Sequence, residues 1–247
     1  MVNNSKPSRL EERLLREKKH ARVIIATDER NWGWSTPAGQ IRWQRRLDYL
    51  TQALNDRSGN VLEIGAGSGT FTADLAKAFQ HLTAIDISED LLAIAHSKAP
   101  SAKCLCMDAH HLEFQESSFD AIVGCSVLHH LDWSLAVKEF YNKLKPGGVI
   151  RFSEPNLLNP QIFLQKTIPS LKKKMGDSPD EYAFTAWEIR RVLKRAGFIN
   201  ITVLPYEFLH PSTPTAWIAR VIELETWLSK TFIGQIGGSL LIEAYRA

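Results

Sequence analysis

The chain has 247 residues, 44% of them apolar and 23% charged, with a formal net charge of +3. That length suits one sizeable α/β domain with decorations, and no apolar run approaches the ~20 residues that a membrane-spanning helix requires. Three cysteines, Cys104, Cys106 and Cys125, make an odd set without metal-ligand spacing; this argues against a disulfide scaffold and for a reducing, cytoplasmic setting.

The charge is unevenly placed. Residues 1–22 carry seven bases against three acids, so that segment alone is +4 and the remainder is close to neutral. Its opening, MVNNSKPSRLEERLLREKK, has no apolar h-region, and no secretory signal is expected. Two readings stand: a solvated helix laced with Glu–Lys and Glu–Arg pairs, or an arm that meets an anionic membrane or an acidic partner. The near-neutral remainder speaks against nucleic acid as a partner.

The next stretch, NWGWSTPAGQIRWQRR, starts a helix at Thr36 and Pro37, a cap followed by a first-turn proline. Trp43, Leu47, Leu50 and Leu54 then fall on one stripe. Arg46 flanks that stripe and Arg45 points away.

From residue 59 the pattern alternates. Strands are expected at 61–65, 81–87, 103–107, 120–127 and 149–154, with helices near 72–79, 89–97 and 134–144. KPGG (145–148) reads as a turn. Thr185 and Glu188 form a capping box that opens a helix, and Gly197 stops it. Two late strands, 199–204 and 239–245, complete the set. Such alternation implies an α/β fold, a largely parallel sheet with helices on both faces. Excursions at 155–184 and 209–235 follow strands. Because ligands sit beyond the carboxyl ends of the strands in such sheets, these excursions should roof the site and choose the substrate.

One loop carries most of the chemistry: VLEIGAGSGTFT, residues 61–72. Gly65, Gly67 and Gly69 give G-x-G-x-G, and Thr70 stands where a dinucleotide loop places its third glycine. Glu63, two residues before the first glycine, would repel a pyrophosphate but can accept from an ammonium group. Asp86 ends the second strand, where a carboxylate can take both hydroxyls of a ribose. Asp108 ends the third and can reach an adenine amino group. Ammonium, ribose diol and adenine together describe S-adenosylmethionine.

The segments LEIGAGSGTFT, AIDIS, CMDAHHLEF, FDAIVGCSVLHHL and LKPGGVIRFSEPN, spread over about residues 60–156, resemble class I S-adenosylmethionine-dependent methyltransferases. The resemblance is to their small-molecule group, which includes the ubiquinone and menaquinone biosynthesis enzymes. It implies a Rossmann-like, seven-stranded, mostly parallel sheet with an antiparallel last strand. It assigns Glu63 and the loop Gly65, Ala66 and Gly67 to the methionine moiety, Asp86 to ribose, and Ile87 to packing on adenine. Asp108 and Ala109 go to the adenine edge, and Ser126 and Val127 flank the sulfonium. An N-terminal helix would cover the cofactor and meet its carboxylate through Arg46 or Arg42, with Trp32 and Trp34 as shelter. Residues 1–57 are thus expected to form a helical arm and cofactor lid, and residues 58–247 the methyltransferase domain. S-adenosylhomocysteine would be the product.

The acceptor is less constrained. The N/D-P-P-Y/F motif that serves amino groups of bases and glutamines is replaced by GCSVLHH, which points to a small-molecule or lipid-linked acceptor. The basic arm, LLNPQIFLQ and the LKKK at 171–174 support a membrane-surface quinone or lipid methyltransferase; a non-catalytic cofactor-binding protein is the rival of another class. His129 and His130 are the acid–base candidates at the rim, with His130 preferred, although alignment alone can also carry methyl transfer. Glu154, ending the fifth strand, either orients the acceptor or makes a structural hydrogen bond to the loop that follows it. Cys125 reads as a buried strand residue. No metal site is expected.

Overall fold

The computed structural model describes residues 9–27, 33–178 and 180–247. Trp32 and residues 1–8 of the basic segment lie outside the described residues.

Seven strands form one sheet: β1 (Asn60–Ile64), β2 (His81–Asp86), β3 (Lys103–Cys106), β4 (Phe119–Cys125), β5 (Leu144–Pro155), β6 (Phe198–Tyr206) and β7 (Ser239–Arg246). Their spatial order is β3-β2-β1-β4-β5-β7-β6. The first five run parallel, and β7 runs antiparallel to both β5 and β6. The antiparallel last strand follows the expectation. The strand order reverses direction between β1 and β4, and the crevice at their carboxyl ends is the natural ligand position in such a sheet.

Alternation along each strand explains why helices cover both faces. Ala121 and Val123 of β4 pack with Val61, Leu47, Leu50 and Leu75 on one side. Ile122 packs with Leu62, Phe140, Phe152 and Leu193 on the other. Leu47 and Leu50 belong to α2 (Pro37–Thr51) and Leu75 to α3 (Thr72–Ala78); Phe140 belongs to α5 (Trp133–Lys143) and Leu193 to α8 (Ala186–Arg195). Each fully buried leucine or phenylalanine contributes roughly 1.5–3 kcal/mol relative to exposure.

Local signals set the helix starts. Thr36 caps α2, its hydroxyl accepting from the Gly39 N–H at 2.9 Å, with Pro37 in the first turn. The Thr185–Glu188 capping box opens α8 in both directions. One boundary differs from expectation. β5 begins at Leu144, because Leu144 pairs with Phe119 before a register shift, so the KPGG turn sits inside the strand as an irregularity.

The remaining helices are α1 (Arg9–Thr27), α6 (Pro160–Thr167), α7 (Pro169–Lys174) and α9 (Ile218–Leu228). α4 (Glu89–Lys98) flanks β2 and β3. Among the described residues, no helix is long and apolar enough to cross a membrane.

Candidate active site

A cavity of about 570 Å³ opens at the carboxyl ends of β1, β2 and β4. Its floor is the glycine loop and its side walls carry Asp86, Ser126, His129 and His130. Leu14, Glu17 and Ala21 of α1, Arg42 and Arg46 of α2, and Ile162 and Gln165 of α6 close over it.

The loop bends back at once after β1, where the N–H groups of Gly65 and Ala66 both donate to Ile85 O, at 2.9 and 3.0 Å. Gly65 sits at φ +71°, and a Cβ there would stand 2.4 Å from Val127 Cγ2. Gly67, at φ +53°, has no atom within 4 Å of where a Cβ would be. Its backbone is therefore bare toward the cavity, and only glycine adopts such a conformation without strain.

Glu63 is buried at 3% exposure on the cavity wall. Its Oε2 lacks a hydrogen-bond partner among the described residues. Burial pushes its pKa up to about 7, and the nearby Asp86 carboxylate adds to the rise. A buried acceptor so placed is stabilised by a cationic donor.

Asp86 is fixed at both ends: Oδ2 accepts from Gly67 N and Oδ1 from Ser88 N, each at 2.9 Å. Each oxygen keeps a second lone pair for a ligand hydroxyl. Burial also raises the Asp86 pKa. Ile87, Met107 and Ala109 complete an apolar slot beside it.

Asp108 departs from expectation. It is absent from the cavity wall; its Oδ1 accepts from the His110 N–H at 2.9 Å and meets His110 Nδ1 at 2.6 Å. The carboxylate turns to its neighbour two residues on, and Met107 and Ala109 form the wall instead.

After β4, Ser126 takes a left-handed turn at φ +54° and donates its N–H to Ser153 O at 2.8 Å. Leu128 and Leu131 are buried and anchor the following 3-10 turn, Leu128–His130. Glu154, buried at 1% exposure, organises that turn. Its Oε1 accepts from Val127 N and Leu128 N, both at 2.8 Å, and its Oε2 meets His129 Nδ1 at 2.7 Å. Glu154 thus bonds the loop after β4, not the loop that follows its own strand as expected, and stands off the cavity wall.

The two histidines are not alike. His129 is buried at 5% exposure, not at the rim. Burial lowers its pKa, and the neighbouring His130 charge lowers it further, against the pull of Glu154. His130 meets Glu17 Oε2 through Nδ1 at 2.8 Å. Burial alone would lower its pKa, but the Glu17 hydrogen bond and the Glu181 carboxylate outweigh it and raise it. Glu181 lies 4.0 Å from His129 Nε2 and pairs with Lys166 at 2.6 Å. His129, His130 and Glu181 place one ligand atom each within 4.8 Å of one another, a grouping the sequence reading did not anticipate. Glu181 is already engaged there by Lys166 and by Ser178 N at 2.7 Å.

Arg46 also needs correction. It reaches the cavity wall but is not a loose cation: its Nη1 and Nη2 donate to Glu207 Oε1 and Oε2 at 2.9 and 2.5 Å, and Nη2 donates to Ser239 Oγ at 2.8 Å. Arg42 shares Glu207 at 2.9 Å. Trp34 stands over both guanidinium groups, at 5.7 and 5.4 Å. Cys125 is half-buried, and burial pushes its thiol up to about 11, which keeps it protonated and unreactive.

Comparison with known proteins bears on this geometry. Residues 62–152 match the model of a methyltransferase domain. The demethylmenaquinone methyltransferase of Staphylococcus aureus is 29% identical over 185 residues, covering 65% of this chain and 76% of that one. The chain is an S-adenosylmethionine-dependent methyltransferase, similar to the class I enzymes of quinone biosynthesis. Among solved structures, a methyltransferase of Thermotoga maritima, described as a possible histamine N-methyltransferase, superposes with a TM-score of 0.70 at 20% identity, over 93% of this chain and 99% of that one. Phosphoethanolamine N-methyltransferase 2 of Haemonchus contortus, solved with S-adenosyl-L-methionine, gives 0.63 at 21% identity, over 97% and 60%. At such identities these two speak for the fold of the methyltransferase alone. Its cofactor is S-adenosylmethionine, and the cavity fits that molecule: a buried carboxylate oxygen without a partner, Glu63 Oε2, a bare backbone at Gly67 and open lone pairs on Asp86.

Four buried residues of this site were missed from sequence: Glu17, Lys166, Glu181 and Glu207. Each looks like an ordinary surface charge in its own segment. Only a fold that brings in partners 15 to 161 positions away makes them part of a wall.

Proposed function

We propose that this methyltransferase transfers a methyl group to a hydroxylated aromatic acceptor of the quinol kind, carried on a lipid tail and met at a membrane surface in the cytoplasm. The observation that carries the reading is His129, a buried histidine held by Glu154 on the wall of a cavity that runs from the glycine loop to both insertions. The name of the Staphylococcus aureus relative and the apolar side chains of the upper cavity support a quinol. The three free cysteines accord with a reducing compartment.

Within this reading the bound cofactor supplies an electrophilic methyl. Glu63 would receive its ammonium, Gly65, Ala66 and Gly67 would pass beside its methionine part, and Asp86 would hold the ribose diol. Ile87 and Ala109 would bracket the adenine, and Ser126 would stand near the sulfonium. Methyl transfer is an in-line displacement, so alignment supplies much of the rate. A phenolic oxygen or ring carbon must also lose a proton, and His129 Nε2 is the base. With Nδ1–H donating to Glu154, the imidazolium that forms is stabilised, as in other carboxylate–histidine pairs. His129 thereby replaces His130 as the preferred base. α1 acts as a lid, latched by Glu17 on His130 and on Ser178 at 2.6 Å.

Incubation with methyl-labelled cofactor and a demethylated, lipid-tailed hydroquinone on vesicles should move label into the lipid phase. Label that goes only to aqueous amines would overturn the acceptor class.

Two binding experiments address the cofactor contacts. Asp86→Ala should weaken S-adenosylhomocysteine by about 1.5–3 kcal/mol, roughly ten- to a hundredfold by calorimetry, because a charged acceptor pair is lost. Unchanged affinity would remove Asp86 from the ribose. Glu63 predicts a pH effect. Its folded pKa of about 7 lies above the ordinary carboxylate value. The stability it contributes is therefore fully present below about pH 4.5 and is lost as pH rises through about 7. A ligand ammonium favours the ionised form, so affinity should rise between about pH 6 and 8 and be flat in Glu63→Gln. Equal slopes in both proteins would contradict the contact.

A further inference from the structure

The two insertions share one exposed apolar face. Residues 155–184 and 209–235 make up less than a quarter of the chain, yet they hold ten of the fifteen large apolar side chains exposed among the described residues. That density decides against scattered surface apolars, which are ordinary, and for an interaction face.

The segments are pinned together. Asn156 Nδ2 donates to the carbonyls of Gln235 and Gly237 at 2.9 and 2.7 Å, and Asn159 Nδ2 donates to Ile236 O at 2.9 Å. These bonds tie the start of α6, the helix that carries Phe163 and Leu164, to the 3-10 turn Phe232–Ile236. Phe232 is 89% exposed and Ile233 47%. Trp227 ends α9 just before that turn, and is 60% exposed.

Helix α6 has two sides. Ile162, Gln165 and Lys166 line the cavity, while Phe163 and Leu164 face outward at 50% and 49% exposure. One turn of helix therefore separates the cavity from the apolar face.

Charge selects the occupant. The exposed charged side chains of the two segments are Lys173, Lys174, Arg220 and Lys230 against Glu223 alone. Asp180 is paired to Arg16, and Asp177 and Glu181 to Lys166, so the intervening acids are spent internally. Arg220 also lies over Trp217 at 5.2 Å. Tryptophan, phenylalanine and lysine together suit the headgroup level of a bilayer. A second copy of this chain docking two-fold on this face would bring like-charged lysines toward one another.

We propose that this face docks on anionic phospholipid bilayers, seating the mouth of the cavity at the headgroup level. The inference rests on the lipid-linked acceptor argued above: docked so, a lipid-tailed acceptor passes from bilayer to cavity without its tail crossing water. The insertions carry the contact.

Flotation of the full chain with vesicles of phosphatidylcholine containing about a third phosphatidylglycerol tests this. The wild type should float. Phe163→Asp with Phe232→Asp should reduce the bound fraction about tenfold or more, and Lys173→Glu with Lys174→Glu should remove the salt-sensitive part. Both variants should bind S-adenosylhomocysteine as the wild type does, which shows that they fold. On a short, water-soluble hydroquinone they should keep turnover while losing it on a vesicle-borne one. A wild type that stays unbound, variants that float equally well, or a dimer in sedimentation that Phe232→Asp dissolves would each overturn the docking face. A wild type that floats but labels no vesicle-borne acceptor would leave the face standing and sink the acceptor reading instead.

Discussion

Replacing His129 by alanine should lower turnover on a phenolic acceptor by about 10²–10⁴-fold while S-adenosylhomocysteine affinity stays within about twofold. The reason lies in how the side chain is held. Glu154 Oε1 is fixed by two backbone N–H groups, so its Oε2 is fixed as well and meets His129 Nδ1 at 2.7 Å. That assigns the proton to Nδ1 and leaves Nε2 with a lone pair. Burial keeps the ring neutral by lowering its pKa, so the base form is in place at neutral pH and the rate should plateau there, falling only in acid. His130 is in the opposite position. Its pKa is raised by Glu17 and Glu181, so it holds its proton through a range where His129 does not. His130→Ala should therefore cost less than about tenfold in turnover. The His129 loss should shrink with acceptors of lower pKa, which need less help to ionise. If His129→Ala and His129→Gln both weaken cofactor binding or melt the protein, the residue is a structural partner of Glu154. If His130→Ala has the larger effect, the two roles are exchanged.

Glu207→Ala should destabilise the protein by about 3–5 kcal/mol in urea unfolding, because the buried Arg46 guanidinium and the half-buried Arg42 lose their counter-charge together. Arg46 is 3% exposed and Glu207 3%, and Arg42 reaches the same carboxylate. Burial alone would lower the Arg46 pKa, but Tyr206 and Glu207 outweigh it and raise it; with Glu207 removed the guanidinium still keeps its proton, because arginine is not deprotonated in proteins. Glu207 sits at φ +73°, a region that alanine also adopts only with strain, so Glu207→Gln serves as the charge-only comparison and should cost less. The Arg16–Asp180 pair offers a contrast. Its side chains are 39% and 25% exposed, and Asp180→Asn should change stability by about 1 kcal/mol or less. Equal losses at Glu207 and Asp180 would show that burial does not decide the strength of these pairs.

What could be read from the sequence was local. The runs that became β1, β2 and β4 alternate sides in the core as their apolar spacing requires, and Glu63, Gly65, Gly67 and Asp86 lie within a few residues of strand ends. Their placement follows from the strand–loop–helix unit alone. Readings that depended on the partner of a side chain fared worse. Asp108 was given to adenine, but His110, two residues on, captures it. Arg46 was given to a carboxylate of the cofactor, but Glu207, 161 positions away, holds it. His129 was placed at the rim because Leu128 and Leu131 were expected to anchor the turn in the core and leave both histidines outside it. The buried Glu154 on the next strand instead draws the loop inward, and no spacing along the chain announces that pull. Glu17 is the clearest case. In RLEERLLREKK it looks like one more solvated acid, yet it is 7% exposed and bonded to His130 and Ser178.

The central claim is that the cavity above Glu63 and Asp86 holds the cofactor with its sulfonium toward His129. A crystal structure with S-adenosylhomocysteine tests it most directly. The ammonium should lie within hydrogen-bond distance of Glu63, both ribose hydroxyls on Asp86, the adenine between Ile87 and Ala109, and the sulfur beside Ser126 on the His129 side. A cofactor seated elsewhere, or reversed so that its adenine meets Glu63, would contradict the account.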